Sequence, residues 1–168
     1  MQIELTFKEV NQIQDGLKFL SGLKGDKKNS IPFEFRHNVM MWIDESLVQL
    51  KVYSDEQNRL LEEFGDPIYA KESVINNNLG AKVTNYNEDG NEKLVYWRQT
   101  IPLEDMKDYE KQLEDVNNTK VTIGKVKKIK LSELVKLEKE KIIDPIAASI
   151  LYSLHPILEK DIEGVEED

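Results

Sequence analysis

Cysteine is absent from the 168-residue sequence, and histidine occurs only twice. Without cysteine the chain cannot form disulfide bonds, thiolate metal sites or a cysteine nucleophile. The two histidines, His37 and His155, lack the i, i+4 spacing of a helical zinc pair. We therefore interpret both as ordinary helix residues, with His155 near a helix end, and expect no metal ion or other cofactor.

Long hydrophobic runs are also missing. Residues 146–150 form one of the longest apolar stretches, far short of the roughly 20 residues that cross a bilayer. The first residues carry neither a basic region nor an apolar run, so we expect no cleaved signal peptide. We predict a protein without a membrane segment that stays in the cytoplasm of the cell that makes it.

Composition and charge favour a folded domain in water. Hydrophobic residues make up 39% of the chain and charged residues 33%, which is too apolar for a disordered chain. The length fits a single domain, which we place at residues 1–158, followed by a flexible acidic tail at residues 159–168. The net charge of −9 disfavours nucleic acid and anionic membranes as partners. We therefore do not expect direct nucleic-acid binding.

Two helices are predicted in the first part of the chain. Thr6 and Glu9 match the capping box that begins a helix, and its apolar face comprises Val10, Ile13, Leu17 and Leu20. Pro32 suits the first position of a second helix, which runs to Phe64 and ends at Gly65. The apolar stripe of this long helix comprises Val39, Ile43, Leu47, Leu50, Leu61 and Phe64. At about 45 Å the helix is long enough to serve as an interaction rod.

Strands are predicted in the middle of the chain. We interpret residues 69–80 as a loop, and residues 82–87 and 92–100 as the strands of a hairpin that turns at Asp89-Gly90. Residues 121–131 form a further extended segment. These strands and the flanking helices predict an α+β fold, in which an antiparallel helical hairpin with one long helix packs on a small antiparallel sheet or hairpin.

Three more helices complete the prediction. The first runs from Pro102 to Asn117, with Leu103, Met106, Leu113 and Val116 on its apolar face. A short helix begins at Ser132. The last helix begins with Asp144 as N-cap and Pro145 at the first position, ahead of Ile146, Ile150 and Leu154.

No motif for catalysis or metal binding is complete. Residues 85–90 match the first half of a calcium loop, but Tyr96 stands where the bidentate carboxylate belongs. Acidic neighbours such as Asp44-Glu45, Glu62-Glu63 and Glu104-Asp105 point in different directions on a helix. The glycines form no phosphate-binding loop. We therefore predict a protein that is not an enzyme.

Two groups of residues are candidates for binding a partner. Aromatic residues and methionine are common anchors in protein interfaces, and they cluster at Met41, Trp42, Tyr96 and Trp97. Core packing is the alternative for the tryptophans and methionine. The second group is a run of lysines interleaved with Val and Ile, Lys125, Lys127, Lys128 and Lys130. These lysines suit an acidic partner or phosphates, but we favour an edge strand whose lysines oppose aggregation.

Four stretches, taken in order, resemble a family of small tailed-bacteriophage proteins of unknown function from phages of low-GC Gram-positive hosts. They are Glu4-Leu5-Thr6 with Glu9 and Gly16-Leu17; residues 37–65, ending Arg59-Leu60-Leu61-Glu62-Glu63-Phe64-Gly65; residues 109–134, with Leu113, Asn118-Thr119-Lys120-Val121 and Ile129-Lys130-Leu131-Ser132-Glu133-Leu134; and Asp144-Pro145 with Leu151 and Leu154. Residues 69–100 are longer than in those relatives. The resemblance implies a phage product with no assigned activity and supplies no catalytic residues.

Three functions follow as hypotheses. The first is a non-enzymatic phage accessory or assembly protein that binds another protein, in the infected cell or on the virion. The second is an inhibitor of a host enzyme or defence complex, in which the net charge of −9 imitates nucleic acid. The third is a metal-dependent hydrolase that uses helix carboxylates.

Overall fold

The computed structural model describes residues 2–24, 30–71, 74 and 86–161, and these residues confirm the α+β class. The chain divides into two units. The first unit comprises Met1–Tyr53 together with Asn117–Asp168, and the second comprises Ser54–Val116. The interpretation of residues 1–158 as one domain stays a prediction.

The described helices are interspersed with short strands along the chain. In order they are β1 (Ile3–Thr6), α1 (Phe7–Gln12), α2 (Gln14–Gly22), α3 (Phe33–Phe64), β2 (Asp66–Lys71), β3 (Leu94–Thr100), α4 (Met106–Asn118), β4 (Lys120–Ile123), β5 (Ile129–Lys130), α5 (Leu131–Lys139), α6 (Ala148–Leu154), a 3-10 turn (His155–Ile157) and β6 (Leu158–Glu159). Strand β1 pairs with β4, β2 with β3, and β5 with β6.

The first unit begins with the predicted capping box. The Thr6 amide donates to a Glu9 carboxylate oxygen at 2.7 Å, and the Glu9 amide donates to the Thr6 hydroxyl at 3.2 Å. This reciprocal pair satisfies two amides that a helix start leaves without intrahelical partners. The helix then breaks at Ile13, so that one predicted helix is two, α1 and α2. The predicted apolar face, Val10, Ile13, Leu17 and Leu20, is buried as expected.

The core of the first unit gathers apolar side chains from elements that are distant in sequence. Helix α3 contributes Phe35, Val39 and Trp42, which face residues of β1, α1, α2, α5 and α6 in one buried cluster. Trp42 has no exposed surface. Burial of this cluster is the main term that favours the folded unit.

The buried face of α3 differs from the predicted stripe at Leu47 and near the end of the helix, where Leu60 is buried and the predicted Leu61 and Phe64 are half-buried. Leu47 is 55% exposed, whereas its neighbour Ser46 is buried and donates to the Ile43 carbonyl. Ser46 lies about 20° around the helix from Val39, but Leu47 lies about 80° away on the other side. The expectation for Leu47 is therefore wrong, because the helical angle continues the buried face through the smaller Ser46.

The second unit contains a two-stranded antiparallel sheet. Strands β2 and β3 pair in a register in which Asp66 lies opposite Thr100 and Lys71 lies opposite Leu94. The register is irregular between Ile68 and Tyr69. The predicted loop is therefore wrong over residues 69–71, and β3 has β2 as its described partner. Residues 72–73, 75–80 and 82–85 of the predicted loop and hairpin lie outside the described residues.

The predicted turn of the hairpin is present within the described residues. Tyr86 and Glu92 form an antiparallel bridge. The Asn87 amide donates to the Asn91 carbonyl at 2.8 Å, which closes the turn. Gly90 has φ +77°, a left-handed conformation that glycine adopts without steric cost. This geometry is that of a hairpin turn, the interpretation that the sequence favoured over a calcium loop.

Two helix starts were predicted too early. Residues 103–105 form a turn before α4, and Leu103 is 92% exposed, so it is not on the apolar face of that helix. Helix α6 begins at Ala148, and Asp144 does not cap it. The Ile146 amide instead donates to the Glu138 carboxylate at 2.8 Å, and Ile143 and Ile146 are buried. Burial of these two isoleucines holds the segment outside the helix.

The last described residues are joined to the start of α5. Strand β6 pairs in parallel with β5, so that Glu159 lies beside Lys130. Beyond it, the Asp161 carboxylate accepts from the Ser132 hydroxyl at 2.5 Å and from the Ser132 amide at 2.9 Å. A carboxylate at this position also interacts favourably with the helix dipole.

These hydrogen bonds lead to a prediction on pH. The Ser132 hydroxyl, and then its amide, lower the pKa of Asp161 below its ordinary value of 3.8. A carboxyl group whose pKa is depressed by folding contributes stability above its unfolded pKa and loses it as pH falls through the folded pKa. We therefore expect the Asp161 contact to persist above pH 3.8 and to be lost below it.

The amide chemical shift of Ser132, followed by NMR as the pH is lowered, measures this loss. The pH midpoint of this chemical-shift change should lie below 3.8. Ser132→Ala should raise the titration midpoint of the Asp161 carboxyl group, because it removes the hydroxyl hydrogen bond. Asp161→Asn serves as the control, because it should abolish the titration of the Ser132 amide. A midpoint at or above 3.8 in the unmodified protein would contradict the prediction.

Candidate functional site

The predicted lysines line a cleft in the first unit. The cleft has a volume of about 960 Å³ and lies between the start of α3 and residues 125–130. We call it the lysine cleft. Its walls include all four candidate lysines, Lys125, Lys127, Lys128 and Lys130. Met41, a candidate from the other predicted group, also lines it.

The lysine segment is held against α3 by a compact set of hydrogen bonds. The Lys127 carbonyl accepts from the Asn38 side-chain amide at 2.9 Å and from the Trp42 indole N–H at 2.8 Å. In the other direction, the Lys127 amide donates to the Asn38 side-chain oxygen at 3.0 Å. Val126, which precedes Lys127, is buried in the core. The backbone that carries the lysines is therefore fixed to a core helix.

The same segment is not the edge strand that the sequence favoured. Lys125, Lys127 and Lys128 lie between β4 and β5, outside any strand, and only Lys130 belongs to one. Lys125 has φ +62°, the left-handed region that non-glycine residues seldom adopt. The expectation of an edge strand is therefore wrong for three of the four lysines, because the chain leaves the extended conformation at this point.

The cleft carries both signs of charge. Lys125, Lys127 and Lys130 are exposed and Lys128 is half-buried. Within the described residues, none of the four forms a salt bridge within 4.0 Å. Three glutamates, Glu34, Glu133 and Glu159, line the same cleft. Lys130 interacts electrostatically with Asp161, whereas Lys125, Lys127 and Lys128 form no ion pair with a described carboxylate. Such ammonium groups suit carboxylate or phosphate groups of a ligand.

An exposed aromatic pair, Phe33 and His37, also lines the cleft. Phe33 is 73% exposed and stacks on the His37 ring, with centroids 5.7 Å apart and planes at 8°. Both residues line the lysine cleft and also a smaller neighbouring cavity of about 350 Å³. Sequence reasoning missed Phe33. A signal was present, since Phe33 lies off the face of α3 that carries Phe35, Val39 and Trp42.

The four aromatic and methionine candidates have different surroundings. Trp42 is buried in the core, the alternative that the sequence left open, and Met41 is packed partly against the same core. Tyr96 and Trp97 are instead exposed on strand β3. The structure therefore brings Met41 and the lysines together, and leaves Tyr96 and Trp97 in the second unit.

Strands β2 and β3 present a second surface, which we call the aromatic ribbon. Its exposed side chains are Tyr69, Leu94, Tyr96 and Trp97. Tyr69 and Tyr96 are register partners whose rings meet edge to face, with centroids 6.2 Å apart. The Arg98 guanidinium carbon lies 4.6 Å from the centroid of the Trp97 ring. Since successive strand residues point to opposite faces, Tyr96 and Trp97 expose aromatic surface on both sides of the ribbon.

Neither surface is associated with a recognisable metal site. Among the described residues, no group of three or more histidine, aspartate or glutamate side chains is arranged to hold a metal ion. Of the helices that the structure describes, none is long and apolar enough to cross a membrane. The chain matches no protein-family model, no curated protein and no solved structure.

Proposed function

We propose that this chain is a phage-encoded accessory or assembly protein that acts by binding another protein and has no catalytic activity of its own. The observation that carries the proposal is the aromatic ribbon. Tyr69, Tyr96 and Trp97 are exposed together on one small sheet. Tyrosine and tryptophan dominate the energetic centres of protein interfaces, because they bury a large area at a small cost in conformational entropy.

The backbone of the ribbon supports the same function. Among the described strands, β2 and β3 pair only with each other. Each strand therefore has one edge whose amide and carbonyl groups are not paired with another described strand. A strand of a partner can add to such an edge, while aromatic side chains on the faces provide specificity.

The assignment to a phage depends on the family resemblance described above, and the geometry supports only the binding role. A phage structural or assembly protein is the partner that this resemblance favours. We place the protein in the infected cell or on the virion for the same reason.

A host protein is the second candidate partner. The net charge of −9 favours a basic groove that normally receives nucleic acid. Expression of the chain in an uninfected host tests this alternative. Impaired growth, transcription or immunity would support it, and unchanged behaviour in all three would exclude it.

Removal of the ribbon aromatics tests the main proposal. We expect Tyr96→Ala together with Trp97→Ala to weaken binding of a phage partner by about 30-fold, since central interface aromatics contribute about 2 kcal/mol or more. Tagged protein is recovered from infected cells with each variant, and bound proteins are quantified by mass spectrometry. The affinity for the recovered partner is then measured directly.

Leu103→Ala is the control, because it removes an apolar side chain of the second unit that is even more exposed than Tyr96 and Trp97 but is not on the ribbon. This variant should bind like the unmodified protein. Equal recovery of the phage partner by the ribbon variant, or recovery of host proteins alone, would overturn the proposal.

A further inference from the structure

The lysine cleft has features of a ligand site that the aromatic ribbon does not explain. Four of the 23 lysines and arginines of the chain lie within residues 125–130. Like most lysines of the described residues, these four form no salt bridge within 4.0 Å. Like charges held together raise the free energy of the folded state unless anions offset them. With four lysines and three glutamates, the lining has a formal charge of +1. Because none of these glutamates forms a salt bridge with the lysines, the ammonium groups remain available to the carboxylates of a ligand.

The protection of a strand edge does not account for these lysines. Lysines oppose aggregation where they flank an open edge, but Lys125, Lys127 and Lys128 lie in an irregular segment. This segment is held by Asn38 and Trp42 beside a cleft. A cleft of about 960 Å³ is in the size range of ligand sites in proteins. The lysines thus line a concave site.

The glutamates of the cleft restrict the class of anion. Glu34, Glu133 and Glu159 stand among the lysines, and they would repel a polyanion with a phosphate at every unit. A peptide can instead place its carboxylates at the lysines and its neutral residues or amides at the glutamates. The net charge of −9 repels any anion at long range. At physiological salt this repulsion is screened over about 8 Å, so the charges that line the cleft determine which ligand is bound at contact.

Phe33 adds an apolar contact. Its exposed ring is stacked on His37, and the half-buried Met41 and the buried Val126 also line the cleft. Carboxylate groups gain nothing from contact with an apolar surface. A peptide with apolar side chains between its acidic residues would bury this surface when it binds. The lining therefore matches an acidic segment with interspersed apolar residues.

We propose that the lysine cleft binds an acidic, partly apolar peptide segment of a protein partner. The proposal rests on the proposed function only in taking the ligand to be a protein. It assigns a second site, in the first unit, and a chemical class of ligand. Exposed lysine–carboxylate pairs are individually weak, so the segment supplements the ribbon contact or depends on several simultaneous contacts.

Fluorescence anisotropy with a defined peptide tests the proposal. The ligand is a short labelled peptide in which glutamate alternates with leucine and glycine, added to the full chain at an ionic strength of about 0.1 M, where repulsion by the net charge is screened over about 10 Å. We expect saturable binding that weakens as salt is raised, because the lysines are exposed and screening shortens their range. Lys125→Gln, Lys127→Gln and Lys128→Gln together should weaken binding by about tenfold.

A second triple variant, Lys107→Gln, Lys111→Gln and Lys139→Gln, is the matched control. It removes the same charge from exposed lysines that do not line the cleft, and it should bind the peptide like the unmodified protein. Phe33→Ala should also weaken binding, and that loss should be nearly independent of salt. Circular dichroism confirms that each variant is folded.

Three outcomes would overturn the proposal. They are no saturable peptide binding, equal losses in the cleft and control variants, and preferential binding of a single-stranded DNA oligonucleotide of the same length. The ribbon variant, Tyr96→Ala together with Trp97→Ala, separates this result from the proposed function. It should keep its peptide affinity, so that failure of partner recovery and failure of peptide binding can be told apart.

Discussion

Replacing Trp42 by alanine is expected to lower the free energy of unfolding by about 3 to 5 kcal/mol, the range for large aromatic side chains in protein cores. The indole has no exposed surface, and its N–H donates to the Lys127 carbonyl at 2.8 Å. Alanine would leave a cavity between α3 and the lysine segment that close-packed neighbours can fill only in part. Urea denaturation followed by circular dichroism measures the change.

The two tryptophans of the chain provide the control. Trp97 is 44% exposed, so Trp97→Ala should cost less than about 1 kcal/mol. Trp42→Phe should fall between the two, because it keeps most of the buried volume and loses one hydrogen bond. Equal losses for Trp42→Ala and Trp97→Ala would contradict the buried position of Trp42.

Gly16→Ala is expected to destabilise the protein by about 1 to 3 kcal/mol, the usual cost of overpacking a core. A Cβ atom at Gly16 would lie 2.6 Å from Cδ2 of Leu154 and 3.1 Å from the hydroxyl oxygen of Ser153. Helix α6 therefore has to move away from α2. The move would also strain the bond in which the Gly16 amide donates to the Ser153 hydroxyl at 2.9 Å.

Gly22→Ala separates this steric effect from helix propensity. Gly22 also belongs to α2, but a Cβ atom there meets nothing within 4 Å. Since alanine favours helix over glycine by up to about 1 kcal/mol in a helix interior, Gly22→Ala should be neutral or slightly stabilising. Thermal unfolding of the two variants gives the comparison. Similar midpoints would show that α2 and α6 are not in close contact at Gly16.

Local sequence signals predicted the parts of the fold that depend on neighbouring residues. The capping box needs only Thr6 and Glu9, and the buried face of α1 and α2 needs only a helical period. Long-range pairing was beyond such signals. The pairing of β2 with β3 joins Asp66 to Thr100, and nothing within either strand identifies the other. The late start of α6 likewise depends on Glu138, which binds the Ile146 amide from a different helix.

The same distinction applies to the candidate site. The sequence singled out the lysines, but their cleft exists only because Asn38 and Trp42 bind Lys127 from a position more than 80 residues earlier. The exposed conformation of Trp97 and the burial of Trp42 were both open alternatives, because residue type alone does not distinguish core from interface. Gly124 before Lys125 was the one local hint that the extended segment is interrupted.

The shared Lys127 carbonyl couples recognition to folding. Because Asn38 and Trp42 fix the backbone of the lysine segment in the free protein, a ligand would find its cationic contacts already in place and lose little chain entropy on binding. A ligand that requires this arrangement binds only the folded first unit, and it therefore raises the melting temperature of that unit. The stabilisation grows with the logarithm of the ratio of ligand concentration to dissociation constant. A thermal-shift assay on the intact chain is thus a direct screen for candidate acidic segments.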